Sequence, residues 1–179
     1  MSEATFRLAT IEDIPTIEQL IALSARGLCV SEYSAAQVEA ALGTAWGCDS
    51  ELIRDGTYFV ADVAGELVAC GGWGRRRTLF GGDAQPGRVS DLLNPHQDAA
   101  RIRAFFVRPD WARRGLGRQI LERCESEAQA HGFRAVELLA TLTGEQFYQR
   151  FGYTGEAAVE YPLPGGEVIR FVPMRKRLG

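Results

Sequence analysis

The sequence predicts an α/β (α+β) domain built on a mixed, mostly antiparallel sheet flanked by helices, and three observations carry that expectation. Ile102 to Ala140 reads as strand, turn, helix, strand, and a crossover of that kind joins parallel strands with a right-handed connection. Tyr58–Val63 and Glu66–Cys70 are β-rich runs separated only by Ala64-Gly65, the spacing of an antiparallel hairpin. Ala157–Leu163 and Val168–Met174 flank Pro164-Gly165-Gly166 and read as a terminal hairpin.

Taken in order, Phe6–Ala9 is a short first strand. Thr10 to Leu28 carries Ile14, Ile17, Leu20, Ile21 and Leu28 at helical spacing, with Thr10 or Asp13 as cap. Pro15 fits only the first turn of that helix. Cys29–Tyr33 reads as irregular and exposed. Ser34 and Gln37 form a capping-box signature for a second helix through Leu42, ended by Gly43. After the first hairpin, Gly71-Gly72-Trp73-Gly74 marks a bulge, a close approach of backbone or ligand, or the start of an exposed loop.

Arg75 to Ala100 shows no long periodic segment, and its turn signals are Gly81-Gly82-Asp83, Pro86-Gly87 and Asn94-Pro95-His96. One reading is a lid over a bound substrate, with Arg75, Arg76, Asp83, Asp91 and His96 as contacts. The other, which is preferred, is an elaborated hairpin with solvated charges.

Residues 1–179 are expected to form one domain, since a chain of this length supports a single core. A hydrophobic content of 46% and a charged content of 24% place it among soluble globular proteins. A net charge of −3 with one lysine, Lys176, argues against a nucleic-acid binder. Cys29, Cys48, Cys70 and Cys124 lie far apart with no Cys-x-x-Cys pair, so neither a metal site nor a disulfide framework is expected. The start of the chain lacks a basic region and an apolar signal core, and no run is long enough to span a bilayer. The expectation is a cytoplasmic protein with no membrane partner.

The chemistry is concentrated between Arg101 and Gly132. Ile102–Val107 is β-rich and is stopped by Arg108-Pro109-Asp110. Leu116, Ile120, Leu121, Cys124 and Ala128 then recur at helical spacing as far as His131-Gly132. Arg113-Arg114-Gly115-Leu116-Gly117-Arg118 lies between strand and helix. The first amides of a helix have no internal partner and sit at the positive end of its dipole. Gly115 and Gly117 remove side chains that would hold a bulky anion away, and the arginines add charge. The turn is a candidate site for a phosphate or pyrophosphate group. Alternatively, the glycines merely allow a tight turn and the arginines are solvated. A Walker A loop is excluded because no Gly-Lys-Ser/Thr exists, and a dinucleotide fingerprint because Ile120 stands where its third glycine belongs.

Val107-Arg108-Pro109 followed by Ala112-Arg113-Arg114-Gly115-Leu116-Gly117 resembles motif A of the GNAT superfamily of acyl-CoA-dependent N-acyltransferases. The pattern departs at Ala112, where the family carries Gln or Arg, and Arg113 or Arg114 is placed to supply that polar group. Phe147-Tyr148-Gln149-Arg150-Phe151-Gly152-Tyr153 resembles a second GNAT segment, with Tyr153 in place of the usual phenylalanine. Read without the resemblance, Tyr148 is an amphipathic residue packing at the core edge.

The resemblance covers nearly the whole chain in element order and implies a V-shaped splay between the fourth and fifth strands. The pantetheine arm of acetyl-CoA would lie in the gap against Phe105, Phe106 and Val107, and the diphosphate on the amides from Arg113 to Arg118. It further implies acetyl transfer by direct attack of an amine on the thioester, with no metal. A strand amide would hold the oxyanion, and Tyr148 would act as general acid towards the leaving thiolate. The base is not assigned; Glu32 or a loop carboxylate is a guess. The implied partners are acetyl-CoA and an amine-bearing acceptor, and a homodimer is left open. The alternatives are a non-catalytic acyl-CoA-binding sensor or structural domain, and an unrelated nucleotide-binding module.

Overall fold

The computed structural model describes residues 3–179. The strands are β1 (Thr5–Leu8), β2 (Tyr58–Val63), β3 (Glu66–Gly74), β4 (Ala100–Val107), β5 (Ala135–Thr141), β6 (Thr154–Gly155), β7 (Val159–Pro162) and β8 (Val168–Arg177). The helices are α1 (Ile14–Leu28), α2 (Ala35–Ala41), α3 (Ser50–Arg54), α4 (Leu116–Ala130) and α5 (Glu145–Arg150). They surround one eight-stranded sheet in the order β1-β2-β3-β4-β5-β8-β6, with β7 paired to β8. Every pairing is antiparallel except β4 with β5.

Two apolar layers cover the two faces. Leu116, Ile120, Leu121, Cys124 and Ala128 of α4 pack on one face, and Ile17, Leu20, Ile21 and Ala25 of α1 on the other. Strand β2 sends Phe59, Ala61 and Val63 into the first layer and Tyr58 and Val60 into the second. That double burial is why its sequence is a nearly unbroken apolar run rather than an alternating one.

Two irregularities in β4 shape the molecule. It pairs with β5 only through Ala100↔Val136 and Arg101↔Glu137. Beyond those residues the strands diverge, giving the expected splay between the fourth and fifth strands. On its other edge, Cys70 pairs with Phe106 but Gly72 with Arg103, so one extra β4 residue bulges out. Ala104 sits in that bulge with φ at +53°. The bulge accounts for Gly71 of β3, and the approach of β2 for Gly72. A Cβ on Gly71 would meet the Phe105 ring at 2.7 Å, and one on Gly72 the Thr57 carbonyl oxygen at 2.5 Å.

Several local expectations are corrected. Cys29 and Tyr33 are buried rather than exposed. The Tyr33 hydroxyl donates to the Arg170 carbonyl at 2.7 Å and accepts from the Leu142 amide at 2.9 Å, so the turn after α1 is tied to the β7–β8 hairpin. Helix α3 had no periodic signal because it is five residues long; Asp49 caps it by accepting from the Glu51 amide at 3.0 Å. The segment between β3 and β4 doubles back on itself through Leu93 to Arg75, Arg77 to Asp91 and Thr78 to Val89 backbone bonds of 2.8–2.9 Å. It forms an elaborated hairpin whose Arg75, Arg76, Arg77, Arg88, Asp83 and Asp98 have protein partners, while Asp91 is exposed.

Candidate active site

The turn into α4 is the candidate anion cradle. Arg113 and Gly115 both have left-handed backbone, with φ of +62° and +80°. The chain thereby reverses sharply and leaves the amides from Arg113 through Arg118 without a hydrogen-bond partner among the described residues. The first helical bond runs from the Gln119 amide to the Gly115 carbonyl, at 3.1 Å. Unpaired amides at a helix start, with the dipole behind them, favour a bound anion.

The surrounding arginines are free to contribute. Arg113 and Arg114 are exposed and have no ion-pair partner among the described residues. Arg114 lies over the Trp111 ring, 4.4 Å from its centroid, which fixes the guanidinium beside the turn without neutralising it. Arg118 is partly engaged, bonding Glu122 at 2.8 Å. In place of the polar group missing at Ala112, the structure offers the anchored Arg114.

Gly117 answers to packing as well as to the anion. A Cβ there would lie 3.2 Å from Phe147 Cζ and 3.9 Å from Val107 Cγ2. The end of β4, the start of α4 and the helix α5 therefore converge on this glycine, bringing together Phe105, Val107, Leu116, Gly117 and Tyr148. Phe106 points to the opposite layer. The Val107 amide donates to the Ser24 hydroxyl of α1 at 3.3 Å.

Tyr148 is 8% exposed. Its ring stands edge-on to Phe105, Phe147 and Tyr153, with centroids 6.3, 5.0 and 5.5 Å away. Its hydroxyl makes no hydrogen bond among the described residues and is not completely buried. Burial, with a smaller contribution from Cys124, pushes the phenol well above its ordinary value. The group holds its proton at neutral pH, as a proton donor must. Tyr153 is different: its hydroxyl donates to Glu125 at 2.8 Å, and Glu125 also pairs with Lys176 at 2.8 Å. The phenol in place of phenylalanine thus ties β6 and β8 to α4.

On the other side of the β4 bulge the structure places residues that carried no signal in the sequence. The Ala104 carbonyl accepts from the Tyr58 hydroxyl at 2.9 Å and from the Cys70 thiol at 3.9 Å. Glu18 of α1 is half-buried nearby and accepts from the Cys48 amide at 2.8 Å. Asp49, 1% exposed, holds Arg103 at 2.9 Å and Arg88 at 2.8 Å. Arg103 also donates to the Thr78 and Gly81 carbonyls. Glu32, His96 and Asp91 are exposed, and His96 belongs to the end of the sheet remote from the cradle. Arg75 and Arg76 reach Asp55, and Asp83 accepts from the Ser50 amide and hydroxyl.

Among the described residues no cluster of histidine, cysteine and carboxylate side chains is arranged to hold a metal ion. No helix is long and apolar enough to cross a membrane.

The Acetyltransferase (GNAT) domain family matches residues 54–155, more than half of the chain, and the protein belongs to that family of acetyltransferases. Similar solved structures include a GCN5-related N-acetyltransferase from Rhodopseudomonas palustris, with a TM-score of 0.72 and 22% identity over 99% of this chain and 98% of that one. The PaiA N-acetyltransferase of Thermoplasma acidophilum, in complex with coenzyme A, gives 0.67 and 14% over 98% and 99%. YncA of Salmonella typhimurium, with acetyl-CoA, gives 0.61 and 17% over 99% and 95%. At such identities the likeness speaks for the fold. A comparison with curated proteins returned no match.

Proposed function

We propose that this protein transfers an acetyl group from acetyl-CoA to an amine acceptor by direct attack on the thioester. The run of unpaired amides from Arg113 through Arg118, opening beside the splay of β4 and β5, is the observation that carries this reading. A diphosphate is the part of acetyl-CoA that such a cradle suits, and the gap beyond Arg101 leaves room beside Phe105, Phe106 and Val107 for an extended arm. Family membership and the coenzyme A bound to PaiA support the same ligand.

Each chain residue then has a defined task. The amides and Arg113, Arg114 and Arg118 hold the diphosphate end. Ser24 already occupies the Val107 amide and Phe106 pairs with Cys70 of β3, so the amides of the bulge at Ala104 and Phe105 are the candidates to meet the arm or to hold an oxyanion. The acceptor loses its extra proton before attack, because an ammonium has no lone pair. Its nitrogen forms a bond to the acetyl carbon as the carbon–sulfur bond breaks. Tyr148, protonated at neutral pH, supplies the proton that the departing thiolate takes up, and the proton that the nitrogen sheds after attack passes to solvent, from which the tyrosinate is reprotonated.

Mass spectrometry of the purified protein incubated with acetyl-CoA and a panel of amines tests the reading. Acetylated amine and free coenzyme A in equal amounts are expected. Tight binding of acetyl-CoA with no transfer to any amine would instead support a sensor, and affinity for ATP or NAD without preference for a thioester a nucleotide-binding module. A cytoplasmic location accords with this use of acetyl-CoA.

A further inference from the structure

We infer that the acceptor is a small primary amine carried on an aromatic or bulky apolar body and lacking an acidic group; this rests on the acetyltransferase reading. The amine end is set by Glu18. The Ser24 hydroxyl meets the Val107 amide at 3.3 Å, and Gly27 lies directly against Pro109, so α1 and β4 advance together. Six residues back along the helix is about 9 Å, and three residues back along the strand is about 10 Å. Glu18 is therefore level with Ala104, at the bulge. Its charge is felt there: burial first, with Glu18 adding to it, pushes the Cys70 thiol up to about 12. Its Oε1 atom accepts from the Cys48 amide, and it has no ion-pair partner among the described residues. A carboxylate placed so is suited to receive an ammonium group.

The body of the acceptor meets a different surface. Arg103 bonds to the Thr78 and Gly81 carbonyls hold residues 78–81 over β4, next to the bulge. From there Phe80 reaches across to the last hairpin, its ring 4.7 Å from Tyr161 and 5.6 Å from Phe171. Phe80, Tyr161, Ala104, Phe106 and Leu142 are all only partly buried, so the wall facing the bulge is apolar and incompletely covered. Such a wall favours an aromatic or aliphatic group and penalises a charge left without a partner.

Charge and enclosure narrow the class further. The guanidinium groups of Arg76, Arg88 and Arg103 are already bound to Asp55 and Asp49, and none is left for an acceptor carboxylate. The Gly82 amide donates to Thr44 at 2.8 Å and the Asp83 amide to Cys48 at 3.1 Å. That seam fastens the long loop to the connection between α2 and α3, while Phe80 closes against the hairpin. An extended peptide finds no continuing groove between them.

Calorimetry on the full chain saturated with coenzyme A tests this with 2-phenylethylamine, ethylamine, L-glutamate and tetra-alanine as probes. 2-Phenylethylamine is expected to bind at least about tenfold more tightly than ethylamine, within the range that apolar pockets provide, and more tightly than the other two. Phe80→Ala should remove most of that advantage without altering ethylamine, and Phe80→Leu should restore part of it, which separates ring contact from collapse of the loop. Glu18→Gln should weaken both monoamines and leave acetyl-CoA affinity intact. Preference for L-glutamate or tetra-alanine, or indifference to Phe80→Ala in a folded protein, overturns the inference while acetyl-CoA still binds. Failure to bind acetyl-CoA is a separate result and removes the acetyltransferase reading itself.

Discussion

Two stretches of this chain set glycines beside arginines: Gly71 to Arg77, and Arg113 to Arg118. In the first, the glycines make room for protein: the Phe105 ring fills the space beside Gly71 and the Thr57 carbonyl that beside Gly72. Arg76 is bonded at both ends to Asp55, at 2.8 and 2.9 Å, and Arg77 approaches Asp98. In the second, the amides have no hydrogen-bond partner among the described residues, and Arg113 and Arg114 join no ion pair among them, while Arg118 bonds Glu122. The lesson is that arginine beside glycine points to a candidate ligand site only where guanidinium groups and amides are left without protein partners. Asp55 and Asp98 tie the first stretch into the structure.

If that contrast is correct, removing an acid that anchors the long loop should cost stability, and altering the α4 turn should cost ligand binding. The largest effect is expected for Asp49→Ala. Arg103, 4% exposed, would be left buried without its counter-ion, a loss of about 3–5 kcal/mol. Chemical denaturation measures it. An unchanged midpoint would mean that the pair does not anchor the loop.

Tyr148→Phe comes next. The ring contacts with Phe105, Phe147 and Tyr153 survive, and no protein hydrogen bond is lost. Acetyl-CoA affinity should hold while kcat falls by roughly 10²-fold. Single-turnover kinetics separate this from a change in product release. The phenol is raised above its ordinary value of about 10. Its donor function should therefore persist from neutral pH to the ordinary tyrosine value, to be lost only as pH rises through the higher folded-state value. A wild-type rate in Tyr148→Phe would reduce the residue to packing.

Gly117→Val is expected to weaken acetyl-CoA binding by about 1–3 kcal/mol, because its side chain must displace Phe147 and crowd the amides. Calorimetry with a parallel thermal melt distinguishes lost binding from lost fold. The smallest effect belongs to Arg114→Ala: below about 1 kcal/mol in affinity, as for an exposed charge, with a flatter dependence on salt. Its stability should hardly move, in contrast with Asp49→Ala.

The sheet and the candidate donor end were legible because their signals are local. The β4–α4 unit has an apolar period and a turn within one short run, and Tyr148 lies in a motif of neighbouring residues. The terminal hairpin announces itself through Pro164-Gly165-Gly166. The proposed acceptor end was hidden because its partners are distant in sequence. Asp49 finds Arg103 across the sheet, Phe80 finds Tyr161 and Phe171, and Glu18 faces a bulge that exists only once β3 and β4 pair. Tyr33 looked exposed because the groups it bonds, at Leu142 and Arg170, come from the far end of the chain. Helix α3 is too short for any period to show, although its Asp49 cap was visible as a residue type.

The most direct measurement of the central claim is an amide-resolved ¹⁵N NMR titration of the protein with acetyl-CoA. The resonances of Arg113 through Arg118 are expected to shift most, as their unpaired N–H groups take up the diphosphate, while those of Gly71 through Arg77 stay nearly still. Large shifts in Gly71 through Arg77 with Arg113 through Arg118 unmoved would contradict the assignment of the α4 turn as the anion cradle.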